Sequence, residues 1–160
     1  MATLPQLFEE DISELDRALQ ELLMKSEAGA ALIIDKGGFL ISQCGEYHDF
    51  DTTTLAALSA ASFAATQGIA ELVGETDFSS VYQQGNKLSI LVGNVDEYCL
   101  LTVIFKAQIS VGAVKYYSGP TIQAIATQLK KAHDRAPEAG LDLSMLNMAD
   151  PSSLFKKKSA

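Results

Sequence analysis

The side chains that most often carry chemistry are few in this chain, and they are scattered. It has two histidines and two cysteines. His48 stands in the loop Gly45–Phe50 with no residue beside it that would complete a catalytic or metal-binding set. His133 falls near Lys130, Lys131 and Arg135 at the end of a helical stretch, where cations complement the negative end of the helix dipole. Cys44 and Cys99 lie in apolar, strand-like surroundings with no CxxC spacing, which predicts buried reduced thiols. The sequence holds no GxxxxGK[ST] phosphate loop, no GxSxG elbow and no HExxH zinc motif. Its Asp and Glu residues sit mostly on wet helix faces and in loops, so paired-carboxylate catalysis has no specific support. The expectation is a protein without an active site, metal or cofactor of its own. An enzyme would need a site assembled from scattered residues.

One stretch suits contact rather than reaction. Asp51 to Glu75, DTTTLAALSAASFAATQGIAELVGE, reads as one helix. Asp51 or Thr52 can cap its start, and Gly74 sits where a left-handed residue would close it. At 100° per residue, Leu55, Leu58, Ser62, Ala65, Ile69, Leu72 and Val73 share a side and read as a core stripe. Ala57, Ala60, Ala64, Gly68 and Glu71 share another, with Phe63 and Gln67 at its border. An exposed helix face normally carries Lys, Glu, Gln and Arg. Gly68 inside a helix costs up to ~1 kcal/mol relative to Ala, and small side chains let a second helix approach closely. The small-residue face therefore reads as a docking surface for another polypeptide. The alternative is a solvated face using Ala for its helix propensity.

The elements that position this helix follow from the rest of the chain. At 160 residues and 48% hydrophobic content it is one domain with a tail, expected as 1–135 and 136–160, the tail partly disordered with short helical pieces. No basic-then-apolar leader opens the chain, and no apolar run reaches the ~18 residues of a membrane span. A cytoplasmic protein is expected. The net charge is −8, more negative still without Lys156, Lys157 and Lys158, so the body should repel nucleic acid and anionic lipid.

A first helix is expected over about Pro5 to Lys25, with Phe8, Ile12, Leu15, Leu19, Leu22 and Leu23 as its core stripe and a Thr3–Gln6 capping box. Strands follow at Ala30–Ile34 and Phe39–Gln43, joined by the hairpin turn Asp35–Gly38. Three more are expected at Phe78–Gln83, Leu88–Gly93 and Tyr98–Phe105. Ala30–Ile34 and Tyr98–Phe105 are apolar at nearly every position, which predicts central strands covered on both faces. The strand Phe78, Ser79, Ser80, Val81, Tyr82, Gln83 is polar and weakly alternating, which suits an edge open to another chain. From Ser110 a helical period runs through Gly119-Pro120. That proline implies either a kink or a break, with Ser118 capping a new helix. The resulting α-β-β-α-β-β-β-α order predicts an α+β domain, a five-stranded sheet with helices on both faces.

This order, together with DTTTLAALSAASFAATQGIAELVGETDF, Gly85, LLTVIF at Leu100–Phe105 and SVGAV at Ser110–Val114, resembles the Roadblock family of dynein light-chain-type domains. IIDKGGFLIS followed by the DTTTLA helix start is the most specific part. Within the family the likeness is to the bacterial MglB group, over about Leu7 to Lys131. The resemblance implies an antiparallel sheet in the order 2-1-5-4-3, with the central helix on one face and the terminal helices on the other. It implies a homodimer in which edge strands pair and central helices lie antiparallel. It further implies a partner, a Ras-like small GTPase of the MglA type, whose GTP hydrolysis is stimulated without an inserted arginine. Ala64 and Gly68 match the family's GTPase-contacting positions, with Ala57, Ala60, Ala61 and Gln67 beside them. A C-terminal segment, Leu141 to Phe155, is a further contact in some members. Departures are Ser62-Phe63 in place of smaller or amide residues, Lys106 where an Asp often stands, and a tail of different length with a basic end. A dimeric Roadblock scaffold without effect on nucleotide turnover is the alternative.

Overall fold

Two strands that are apolar on both sides dictate the layering. The structure is a computed structural model that describes residues 3–135. In it β1 (Ala30–Asp35) and β5 (Cys99–Lys106) lie side by side, and their interior residues are almost wholly buried. β2 (Leu40–Gly45) flanks β1, while β4 (Leu88–Asn94) and then β3 (Ser80–Gln84) flank β5. The sheet order is β2-β1-β5-β4-β3, all neighbours antiparallel. Side chains alternate across the sheet. Ala31, Ile33, Leu101, Val103 and Phe105 meet α1 (Glu9–Ser26) and α3 (Val111–Arg135) on one face. Ala30, Leu32, Ile34, Leu100 and Ile104 meet α2 (Thr52–Val73) on the other.

Local chemistry sets the element ends. Asp51 caps α2 by accepting from the Thr53 N–H at 3.1 Å, and Gly74 closes it at φ 76°. The β1–β2 turn needs Gly38 at φ 101°, and a Cβ there would lie 3.2 Å from the Ala57 Cα. Three expectations at α1 are corrected. The helix begins at Glu9, and Phe8 is largely outside the core. Its start is satisfied by the Asp11 carboxylate, which accepts from the Phe8 N–H at 2.7 Å, so the Thr3–Gln6 box is not the cap. Strands β3 and β5 start at Ser80 and Cys99, slightly later than expected. α3 is one helix through the exposed Pro120. The break reading fails because Ser118 is buried inside the helix against the sheet. The expected tail, 136–160, lies outside the described residues.

Asp11 joins the two helices of the outer layer. It is fully buried and accepts from the Gln128 amide at 2.7 Å and the Arg135 guanidinium at 2.6 Å. Arg135 also covers the Phe8 ring at 4.3 Å. Burial pushes the Asp11 carboxyl up, but the bonds from Arg135, the Phe8 N–H and Gln128 outweigh it and hold the group below its ordinary 3.8. A depressed carboxylate contributes stability above its unfolded pKa and loses it as pH falls toward the folded value. Asp11→Asn is expected to lower stability at pH 7 by about 2–3 kcal/mol. Denaturant melts below pH 4 should also show a shallower acid slope for the variant than for the parent.

Candidate functional site

The wheel assigned the wrong side of α2 to the core. Residues Ala56, Ser59, Ala60, Phe63 and Ala70 face the sheet. Phe63 fills the space over Leu32, Leu100 and Ile104, and alanines around it let the helix sit close. The expected core stripe points largely outward instead. Leu58 is 63% exposed, Ile69 52%, Leu72 87% and Val73 67%. Ala65 is exposed as well, and only Leu55 and Ser62 are half-buried. The physical reason is volume. The sheet already presents Ile, Leu and Val, and one aromatic ring between alanines completes that layer.

The small-residue face is mostly where a partner could reach it. Ala57, Ala61, Ala64 and Gly68 are exposed, and a Cβ at Gly68 would meet nothing within 4 Å. Ala60 is a correction: it is 5% exposed and belongs to the core against the sheet. Gln67 is half-buried and donates to the Phe78 carbonyl at 3.0 Å, tying α2 to the segment that enters β3. From Ala64 and Gly68 round to Leu58 and Val73, the outer half of α2 is a largely apolar surface, interrupted by Thr54 and Ser62. Among the described residues α2 is the one helix long and apolar enough to cross a membrane by length and composition, yet its Phe63 side is packed on the domain's own sheet.

Beside this helix runs an open strand edge. β3 pairs with β4 alone. The Asn94 N–H donates to the Ser79 carbonyl at 2.9 Å, and antiparallel hydrogen-bonded pairs alternate. By that alternation Val81 and Gln83 bond to β4, while the N–H groups of Ser80, Tyr82 and Gln84 point away from the sheet. Val81 packs toward the α2 core, and the Tyr82 ring stacks 6.2 Å from Phe105 on the other face. Phe78 and Ser79 precede the strand. A cleft of about 470 Å³ separates helix and edge, lined by Phe63, Ala64, Gln67, Phe78, Asn94 and Lys36 among others.

The groups with reactive side chains do not converge on it. His48 is exposed and tilts against Tyr47, and His133 lies 3.3 Å from the Tyr98 hydroxyl. Cys99 is buried, and burial pushes its thiol well above the usual range. Among the described residues no cluster of His, Cys, Asp and Glu could hold a metal ion. Both arginines of the chain, Arg17 and Arg135, belong to α1 and α3 on the opposite layer. The geometry is that of a contact surface: an apolar helix face next to a row of unpaired backbone donors and acceptors.

Comparison with known proteins bears on this arrangement. The family model for the Roadblock/LC7 domain matches residues 14–105. A comparison with curated proteins by sequence finds no match. Among solved structures, an MglB with a tetrameric arrangement is similar at 28% identity and TM-score 0.76, covering 82% of this chain and 99% of that one. Myxococcus xanthus MglB is 29% identical with TM-score 0.74, covering 79% and 96%. The gliding protein MglB of Thermus thermophilus is 28% identical with TM-score 0.73, covering 82% and 99%.

The burial of α2 makes a direct test. Ala60→Arg should destabilise the fold by at least ~3 kcal/mol, because it overpacks a filled layer and buries a charge. Gly68→Ala should stabilise it by up to ~1 kcal/mol. Urea unfolding of both variants checks the orientation of the helix, and equal effects would contradict it.

Proposed function

We propose, because the chain belongs to the Roadblock/LC7 domain family, that it is a homodimeric regulator of a Ras-like small GTPase of the MglA type. In this reading it binds the GTP form and stimulates hydrolysis. The observation that carries the reading is the outward apolar half of α2 beside the open edge of β3. Leaving several large apolar side chains in water forgoes roughly 1.5–3 kcal/mol each, and an unpaired edge invites a strand. Leu58, Ile69, Leu72 and Val73, with the edge from Phe78 to Gln83 and Gln84, are assigned to a second copy. Ala57, Ala61, Ala64, Gln67 and Gly68 are assigned to the GTPase; Ala60 is not, since it faces the core.

Such a regulator needs no active site. By binding one arrangement of its partner's switches more tightly than others, it shifts the population toward that arrangement. Phosphoryl transfer depends mainly on positioning and charge stabilisation, so holding the GTPase's own groups in place accelerates it. The placement of both arginines away from α2 agrees with a mechanism that inserts none. The similarity to MglB structures supports the same reading at the level of the family branch. A Roadblock scaffold that joins complexes without changing turnover is the second reading, favoured by the predominance of apolar side chains and backbone groups on the surface.

Two measurements test the proposal. Adding the protein to a cognate GTP-loaded GTPase should raise the hydrolysis rate, and Ala64→Arg should abolish the effect while the circular dichroism melt stays unchanged. Binding without acceleration would assign the scaffold. Separately, Tyr82→Pro removes an outward donor and spares the β4 ladder, and Leu72→Asp charges the stripe. Each should weaken dimerisation at least about tenfold in sedimentation. Unchanged profiles for both would remove the edge and the stripe from the interface.

A further inference from the structure

The opposite layer carries a second groove, with an apolar floor and a mixed rim. α1 and α3 run antiparallel, as the pairing of Asp11 with Gln128 and Arg135 requires. Toward the other end of the pair, a groove of about 410 Å³ lies between Ala18, Leu22 and Lys25 on one side and Tyr117, Pro120 and Ala124 on the other, with Glu21 and Thr121 also lining it. Tyr116 at its rim is 76% exposed, and Met24 of α1 is also 76% exposed. Pro120 has no N–H, so the Tyr116 carbonyl lacks its helical partner and remains an acceptor there.

We propose that this groove is the seat of the chain's own segment Leu141–Met148, which lies outside the described residues. Three observations select that occupant. The first is reach. α3 ends at Arg135, held in place by Asp11, about 16 Å along the helix axis from Ala124. The stretch from Arg135 to Leu141 spans about 20 Å when extended, so Leu141 arrives at the near end of the groove. The second is size. From Ala124 to Tyr116 the groove runs about 12 Å, the length an eight-residue helical piece covers. The third is chemistry. The segment LDLSMLNM offers Leu141, Leu143, Met145, Leu146 and Met148, and methionine fills irregular apolar grooves. Ser144 and Asn147 supply donors for the freed carbonyl.

This seat is on the other side of the sheet from α2 and the β3 edge, so the inference does not rest on the GTPase reading. Docking there covers the exposed rim and leaves the α2 face open. Deuterium exchange on the full chain tests it, comparing the parent with a Leu141→Asp, Met145→Asp, Met148→Asp variant. Peptides over Ala18–Lys25 and Tyr116–Ala124 should exchange at least about fivefold faster in the variant. Peptides over α2 should be unchanged, and the difference should be the same across protein concentrations. Equal exchange in both proteins overturns the proposal. Acceleration that extends to α2 and the sheet overturns it too, as a loss of global stability. Protection that grows with protein concentration assigns the groove to a second copy and also overturns it.

Discussion

A five-stranded sheet with two fully apolar central strands must be covered on both faces, and this domain has two helices for one face and one for the other. That inequality organises the molecule. α1 and α3 together close their side with Leu15, Leu19, Leu22, Val114, Ile125 and Leu129. α2 alone covers the other face, reaching β3 through Val81 but leaving that strand's outer edge open. Its outer half then faces water with leucine, isoleucine and valine rather than charge. One helix on a wide sheet leaves apolar surface uncovered, the kind of surface that interfaces between molecules bury.

The outer layer is fastened differently. Asp11 is a buried carboxylate with every oxygen engaged, and its partners come from both helices. Buried ion pairs contribute little net energy against an apolar alternative, but losing one partner is costly. The contribution here is registration: α1 and α3 are aligned at the end where the described domain stops. At the opposite end the same pair lines the groove. One polar contact thus aligns the two helices at the end opposite the groove.

Much of the fold was legible because it rests on local signals. Unbroken apolar runs marked β1 and β5 as central. The polar FSSVYQ marked an edge, and Asp51 and Gly74 carried the ends of α2. The start of α1 was harder, since its cap is Asp11 reaching back to the Phe8 N–H rather than a short polar side chain at the N-cap itself. The wheel over α2 failed for a definite reason. Apolar residues occupy nearly its whole circumference, so periodicity offers two candidate core stripes and no means to rank them. Placing the larger side chains inside was the natural choice, and Phe63 against a prefilled sheet reversed it. Ala60 moved from surface to core for that reason.

The sequence by itself determined the element order, the central and edge strands, the absence of familiar catalytic motifs and the presence of a helix with more apolar surface than one contact needs. Those are statements about composition and short-range periodicity, which the chain carries in any conformation. Only the tertiary structure decided which side of that helix is free, which β3 residues hold outward donors, and where a groove lies between α1 and α3. Each depends on how much volume a distant element has already filled, and volume is settled only when the elements are packed together.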